Sequence, residues 1–238
     1  MRTAAGRDRV VVRWRSSDVV RIVVGAALVT VCSLVASGSS VSAMERGLFH
    51  AVNGLPSWLY RPVWLVMQLG SLAAVFVVAG AAALFRRVRL ALELLAAGLL
   101  AYLAALELKE LVARGRPTAL VHDTVVHGAR AQGLGFPSGH AAVSFALTMT
   151  AVPFLNGPWR KAVWLLPITV GFARVYVGAH LPLDVAGGFA VGYTVGALVH
   201  LIGGVPRRVP AAEPGTGDTG PRQIDIADDG ATAAPPVG

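Results

Sequence analysis

The sequence predicts an all-α protein, an integral-membrane bundle of six transmembrane helices, and three observations predict it. Apolar residues fill 55% of the 238 positions and charged residues only 14%, about half the charged share of a soluble domain. Several uncharged runs approach the roughly 20 residues a helix needs to cross about 30 Å of hydrocarbon. Arginines gather between alternate runs, as expected when short cytoplasmic loops carry the positive charge.

The spans follow in order. Ile22–Met44 holds 23 residues without Asp, Glu, Lys or Arg, and Pro62–Phe85 holds 24. Leu90–Leu108 carries Glu93 and Glu107, and Glu93 lies one helical turn after Arg89, within pairing reach. His140–Gly157, Ala162–Gly178 (interrupted by Arg174) and Val185–Val205 (carrying His200) complete the six. Residues 1–43 also fit a cleaved signal peptide, with an arginine-rich start and the small-residue end Val41-Ser42-Ala43. Both readings send the following loop outward.

With the N-terminus inside, and leaving aside Arg222 in the tail, thirteen Lys and Arg residues fall on the cytoplasmic side and seven on the other. That asymmetry puts both termini in the cytoplasm of a plasma-membrane protein. Residues 1–21 form a basic cytoplasmic segment, 22–205 the membrane domain, and 206–238 a cytoplasmic tail. The tail is rich in Pro, Gly, Ala and acids without apolar periodicity, which predicts disorder. The lone Cys32 excludes an internal disulfide and a cysteine-based zinc site. A pI near 10.7 comes without a basic helix, zinc spacing or aromatic-basic sheet motif, so no nucleic-acid partner is expected.

Three outward segments hold the polar residues that lipid contact leaves unexplained: Lys109 to Pro117, Pro137 to His140, and Arg174 to Asp184. Lys109 and Arg116 are seven residues apart and would share a face of a continuing helix, ended by Gly115 and Pro117. With Arg174 they make three cations with few acids beside them, an arrangement relieved by an anion such as phosphate. Ser138 suits an N-cap, Gly139 admits close backbone approach, and His140 falls in the first turn, at the anion-binding end of a helix. Pro182 suits a first helical turn, so His180 and Asp184 lie about one turn apart. An aspartate there can hold one ring nitrogen protonated and leave the other free to attack.

The linked set Lys109-x6-Arg116-Pro117, Pro137-Ser138-Gly139-His140 and Arg174-x5-His180-x3-Asp184 resembles the membrane-bound type 2 phosphatidic acid phosphatase family, within the acid phosphatase and vanadium haloperoxidase superfamily. The likeness spans roughly residues 45–203. It implies that His180 attacks phosphorus and forms a phosphohistidine while Asp184 orients its ring. His140 would protonate the leaving oxygen and then activate water. Lys109, Arg116, Arg174, Ser138 and the Gly139 N–H would hold the phosphoryl oxygens, with no metal and no other cofactor. The family often has Ser before the third-motif arginine, where this chain has Ala173.

The resemblance implies hydrolysis of a membrane lipid phosphate or diphosphate at the outer surface, the lipid tail staying in the bilayer. Phosphatidic acid, phosphatidylglycerol phosphate and polyprenyl phosphates or diphosphates are the expected substrates. Transfer of the phosphoryl group to an alcohol acceptor is the alternative, and non-catalytic lipid transport a remoter one. Elsewhere, His122, Asp123 and His127 read as solvated loop residues. His50 and Asn53 read as interfacial and lid-like, His200 as a satisfied interfacial histidine, and Trp58, Tyr60 and Trp64 as an aromatic belt.

Overall fold

A computed structural model of the chain describes residues 9–209 apart from Trp14, Ser39 and Ala129. The expected tail from residue 210 onward, and the first eight residues, lie outside the described part. Helix α1 (Ser16–Ala36) has 21 residues, about 32 Å of rise. It is apolar almost all round, exposing Val20, Val23 and Leu34, as suits a lipid-facing span. The first apolar run does not continue to Met44. It stops at the small polar cluster beginning at Ser37, whose side chains compete for backbone groups. Ser42 then starts a separate helix α2 (Ala43–Asn53), its hydroxyl accepting from Glu45 N at 3.1 Å.

The second run is broken. Helix α3 (Tyr60–Met67) ends in a 3₁₀ turn at Gln68–Gly70, Ser71 caps α4 (Leu72–Leu84), and the two halves meet at 65°. The break packs against the later helices α7 (Gly139–Ala151) and α9 (Leu165–Tyr176). Irregular backbone at membrane depth is tolerated when protein covers it in this way. Helix α5 (Val88–Val112) crosses without interruption. Arg89 Nε donates to Glu93 Oε1 at 2.7 Å, as the spacing predicts, and its Nη2 reaches the Gly203 and Gly204 carbonyls at 2.8 and 2.6 Å. Those carbonyls end the last long helix, α10 (Pro182–Gly203), so the guanidinium caps its negative pole.

Helices α1, α5 and α10 are long and apolar enough to span, and the bent α3–α4 pair passes the same test only taken together. The fourth and fifth apolar runs instead give α7 and α9, of 13 and 12 residues, roughly 20 and 18 Å long. Pro153, in a 3₁₀ turn, closes α7, and the short α8 (Trp159–Ala162) separates it from α9. Ahead of α7, α6 (Pro117–Leu120) is a single turn. Two strands absent from the sequence expectation, β1 (Arg9–Arg13) and β2 (Val205–Val209), pair into one ladder.

The tightest seam joins α7 to α10. Lipid removes the hydrophobic drive between helices, so small residues that let backbones touch carry the packing. Gly188, Gly192 and Gly196 supply that stripe at four-residue spacing. A Cβ on Gly188 would strike the Ser138 carbonyl, and one on Gly192 the Ala142 carbonyl. Ala97, Ala101, Val143, Ala146 and Leu147 continue this core toward α5.

Candidate active site

The first motif departs from the expected helical face. Ala113 turns left-handed (φ 51°) and its N–H closes onto Lys109 O, ending α5. Arg116 is extended (φ −80°, ψ 163°) and precedes α6, with Pro117 in the first position. Lys109 and Arg116 are therefore brought together by the loop ahead of α7. Lys109 Nζ donates to the carbonyls of Leu134, Gly135 and Pro137 at 3.1, 3.3 and 2.8 Å, which engages all three of its donors. Arg116 Nε donates to Gln132 O at 3.0 Å and Nη1 to Ala179 O at 2.8 Å. Loop carbonyls thus offset much of the repulsion between the two cations.

In the second motif Ser138 occupies the N-cap position of α7, but its hydroxyl makes no capping bond and is fully buried without a partner. The expected side-chain cap is therefore absent at Ser138. The Ser138 N–H instead donates to Asp184 O at 2.8 Å, tying the start of α7 to the first turn of α10. Gly139 and half-buried His140 follow in the first turn, where helix N–H groups lack intrahelical acceptors.

The third motif is a tight turn. Gly178 adopts φ +74° beneath Val125 O, where a side chain would not fit. The Ala179 and His180 N–H groups both close onto Arg174 O at 3.2 Å. Pro182 opens α10, and Asp184 Oδ2 accepts from Leu181 N at 2.8 Å. Arg116 Nη1 lies 3.2 Å from His180 Nε2. A guanidinium can only donate, so Nε2 is the acceptor and the ring proton sits on Nδ1. Nδ1 faces Asp184 Oδ2 at 3.6 Å, an electrostatic contact longer than a hydrogen bond. Burial, followed by the charges of Arg174, Arg116 and Lys109 and by His140, holds the His180 imidazole well below its ordinary pKa. Arg174 is buried, with Nη1 3.0 Å from Met67 Sδ and Nε unpartnered, and Ala173 before it is enclosed.

Sequence reasoning missed the deepest part of this cluster. Arg114 counted only as an outward cation, yet it is buried and bonds both Asp184 Oδ1 and Glu45 from α2. No local spacing announces a contact between residues 69 and 70 positions apart. Asn53 is likewise no lid residue. It is buried, its side chain bonding Val125 N and O and Tyr176 O at 2.8 Å. His127 is not solvated but stacked on Tyr176, with ring centroids 4.2 Å apart, and bonded to Asn53 O. His200 is buried with neither ring nitrogen partnered, contrary to the satisfied state expected. Among the described residues no three His, Cys, Asp or Glu side chains are grouped as a metal site.

Residues 88–207, which carry all three motifs, match the PAP2 superfamily. The chain belongs to the PAP2 superfamily. It is 32% identical over 188 residues to the decaprenylphosphoryl-5-phosphoribose phosphatase of Mycobacterium tuberculosis, covering 77% of this chain and 92% of that one. It is 28% identical to the lipid A 4'-phosphatase of Porphyromonas gingivalis, over 67% and 72% of the two chains. The crystal structure of a transmembrane PAP2-type phosphatidylglycerolphosphate phosphatase from Bacillus subtilis superposes with a TM-score of 0.62 at 26% identity, covering 75% and 94%. This PAP2 chain is a multi-pass membrane phosphatase of the lipid-phosphatase class.

Proposed function

We propose that the chain hydrolyses a lipid phosphomonoester or diphosphate through a phosphohistidine on His180. The observation that carries this reading is the oriented imidazole, with Nε2 against Arg116 and Nδ1 toward Asp184. Nε2 attacks phosphorus in line while the ester P–O bond breaks, and His140 gives a proton to the departing oxygen. His140 then takes a proton from water, whose oxygen attacks phosphorus as the N–P bond breaks and inorganic phosphate leaves. The incoming phosphoryl group displaces Arg116 Nη1 from Nε2, and the freed N–H turns to a phosphoryl oxygen. Arg174, the Ser138 hydroxyl and the Gly139 N–H complete the cradle. Lys109 shapes it by holding carbonyls of the preceding loop while adding its charge.

The chain makes six passages in this reading, with α7 and the α8–α9 segment completing those formed by α1, α3–α4, α5 and α10. The arginine asymmetry sets both termini in the cytoplasm and the cradle on the outer face of the plasma membrane. The decaprenyl-linked substrate named for the Mycobacterium tuberculosis relative supports a polyprenyl-linked phosphate, and the phosphatidylglycerolphosphate named for the Bacillus subtilis structure supports a glycerophospholipid beside it. The test is phosphate release by purified protein from a panel of polyprenyl phosphate, polyprenyl diphosphate and phosphatidic acid, with chelator present. Wild type is expected to release phosphate and to be inhibited by vanadate, and His180→Ala to be inactive. Activity that needs added Mg²⁺ and survives the substitution overturns the mechanism, and a phosphorylated acceptor in place of free phosphate moves the assignment to transfer.

A further inference from the structure

Asp184 is gripped from the side opposite His180 by groups that the mechanism above leaves unused. We infer that Glu45 and Arg114 form a buried positioning pair that fixes the Asp184 carboxylate and keeps its negative charge directed at His180. The inference rests on the His180 assignment and adds Glu45, which lies outside the three motifs, and Arg114, an unspecified position inside the first.

The three side chains are 9%, 4% and 0% exposed for Glu45, Arg114 and Asp184. Arg114 meets Glu45 with both terminal nitrogens, Nη1 to Oε1 at 3.1 Å and Nη2 to Oε2 at 2.8 Å. Asp184 Oδ1 receives one N–H, from Nη1 at 2.8 Å. Glu45 Oε1 also accepts from Leu183 N at 3.0 Å, and Arg114 O accepts from Gly135 N at 2.7 Å. Helix α2 and the first turn of α10 are thereby locked to the Arg114 guanidinium, and the loop before α7 to its main-chain carbonyl.

The charge arithmetic sets the role. Two carboxylates around one guanidinium leave a net charge of −1 beside the imidazole. The planar fork is matched bidentately by Glu45, so the cation is neutralised chiefly there and Asp184 stays the anion that faces the ring. Oδ1 is held by Arg114 and Oδ2 by the Leu181 N–H, so the carboxylate cannot rotate away. As the N–P bond forms, the ring becomes cationic and that retained charge stabilises it. Without the Glu45 charge, Arg114 would neutralise Asp184 instead. Neither Glu45 nor Arg114 touches a reacting atom.

The test is a double-mutant cycle on the full-length protein in detergent, read as phosphate release from a polyprenyl monophosphate. Glu45→Gln, nearly isosteric, is expected to lower kcat about 10- to 100-fold with KM within about 2-fold, the signature of a misaimed group. In an Asp184→Asn background the same change is expected to cost less than about 2-fold, because its target is gone. Glu45→Asp is expected to recover part of the loss. A Glu45→Gln enzyme with wild-type kcat, or one whose loss multiplies undiminished on Asp184→Asn, overturns the inference. His180→Ala runs in parallel: residual activity there sinks the nucleophile assignment itself, whereas an inactive His180→Ala beside a wild-type-like Glu45→Gln sinks only the positioning pair. If Glu45→Gln does not elute as a folded species, the cycle is run with Arg114→Lys, which keeps the charge but not the fork, and is read by the same criteria.

Discussion

The two ends of α5 make the most instructive contrast in the molecule. At its start, Arg89 pairs with Glu93 four residues on, and nearby α1 pairs Arg21 with Asp18 three residues back. At its far end, roughly 30 Å away along the helix, Lys109, Arg114 and Arg116 reach partners 16 to 70 residues distant. The first kind of pair fastens a helix to itself and is worth a few tenths of a kcal/mol to about 1. The second kind gathers separate segments around one imidazole. Arg89 also reaches the Gly203 and Gly204 carbonyls, 114 and 115 residues on, so the two ends differ in what their charges surround, a helix terminus at one and an imidazole at the other.

Substitutions can break or sharpen that contrast. The largest effect is expected from His180→Ala, a loss of about 10³-fold or more in phosphate release, and retained turnover would erase the distinction between the ends. Next comes the helix seam, where a Cβ on Gly188 would lie closer to the Ser138 carbonyl than the 2.9 Å that one on Gly196 would keep from Met149 side-chain atoms. Gly188→Ala is expected to cost about 1–3 kcal/mol in thermal unfolding and to depress activity, with Gly196→Ala well below it, and equal losses would refute a seam tightest at the site. Arg116→Lys keeps a charge but loses the fork and should lower kcat/KM on the order of 10²-fold.

The pH response is a milder probe. With the His180 pKa lowered well below 6.5, the neutral nucleophile persists as pH falls through 6.5. After allowance for substrate ionisation, kcat/KM should therefore show no His180 acid limb at or above that value. A limb there that His140→Gln leaves in place would show a solvated His180. Smallest of all, Arg89→Ala should leave kcat within about 2-fold and cost about 1 kcal/mol of stability through the lost α10 cap. A large kcat loss would mean the two ends are coupled.

What the sequence made legible follows the same division. The apolar runs located α1, α5 and α10, and the motif spacing placed His180 one turn before Asp184 because those features are local. The 65° break at Gln68–Gly70 was hidden because a glycine-serine pair inside an apolar run reads equally as a passing helix. Arg114 looked like one more outward cation, since its partner Glu45 belongs to a helix that hydropathy had merged into a span and a loop. The three carbonyls that Lys109 holds were hidden as well, because carbonyls have no sequence signature. Asn53 and His127 were misread because polarity alone does not distinguish a wet loop from a buried hub.

The glycine stripe of α10 has an architectural corollary. Since backbone meets backbone along it, the offset between the start of α7 and the turn bearing His180 is gauged by main-chain thickness alone. Surrounding loops are then at liberty to diverge and admit differently shaped head groups while the reactive spacing stays constant, as in a vice whose jaws are machined separately from its handle.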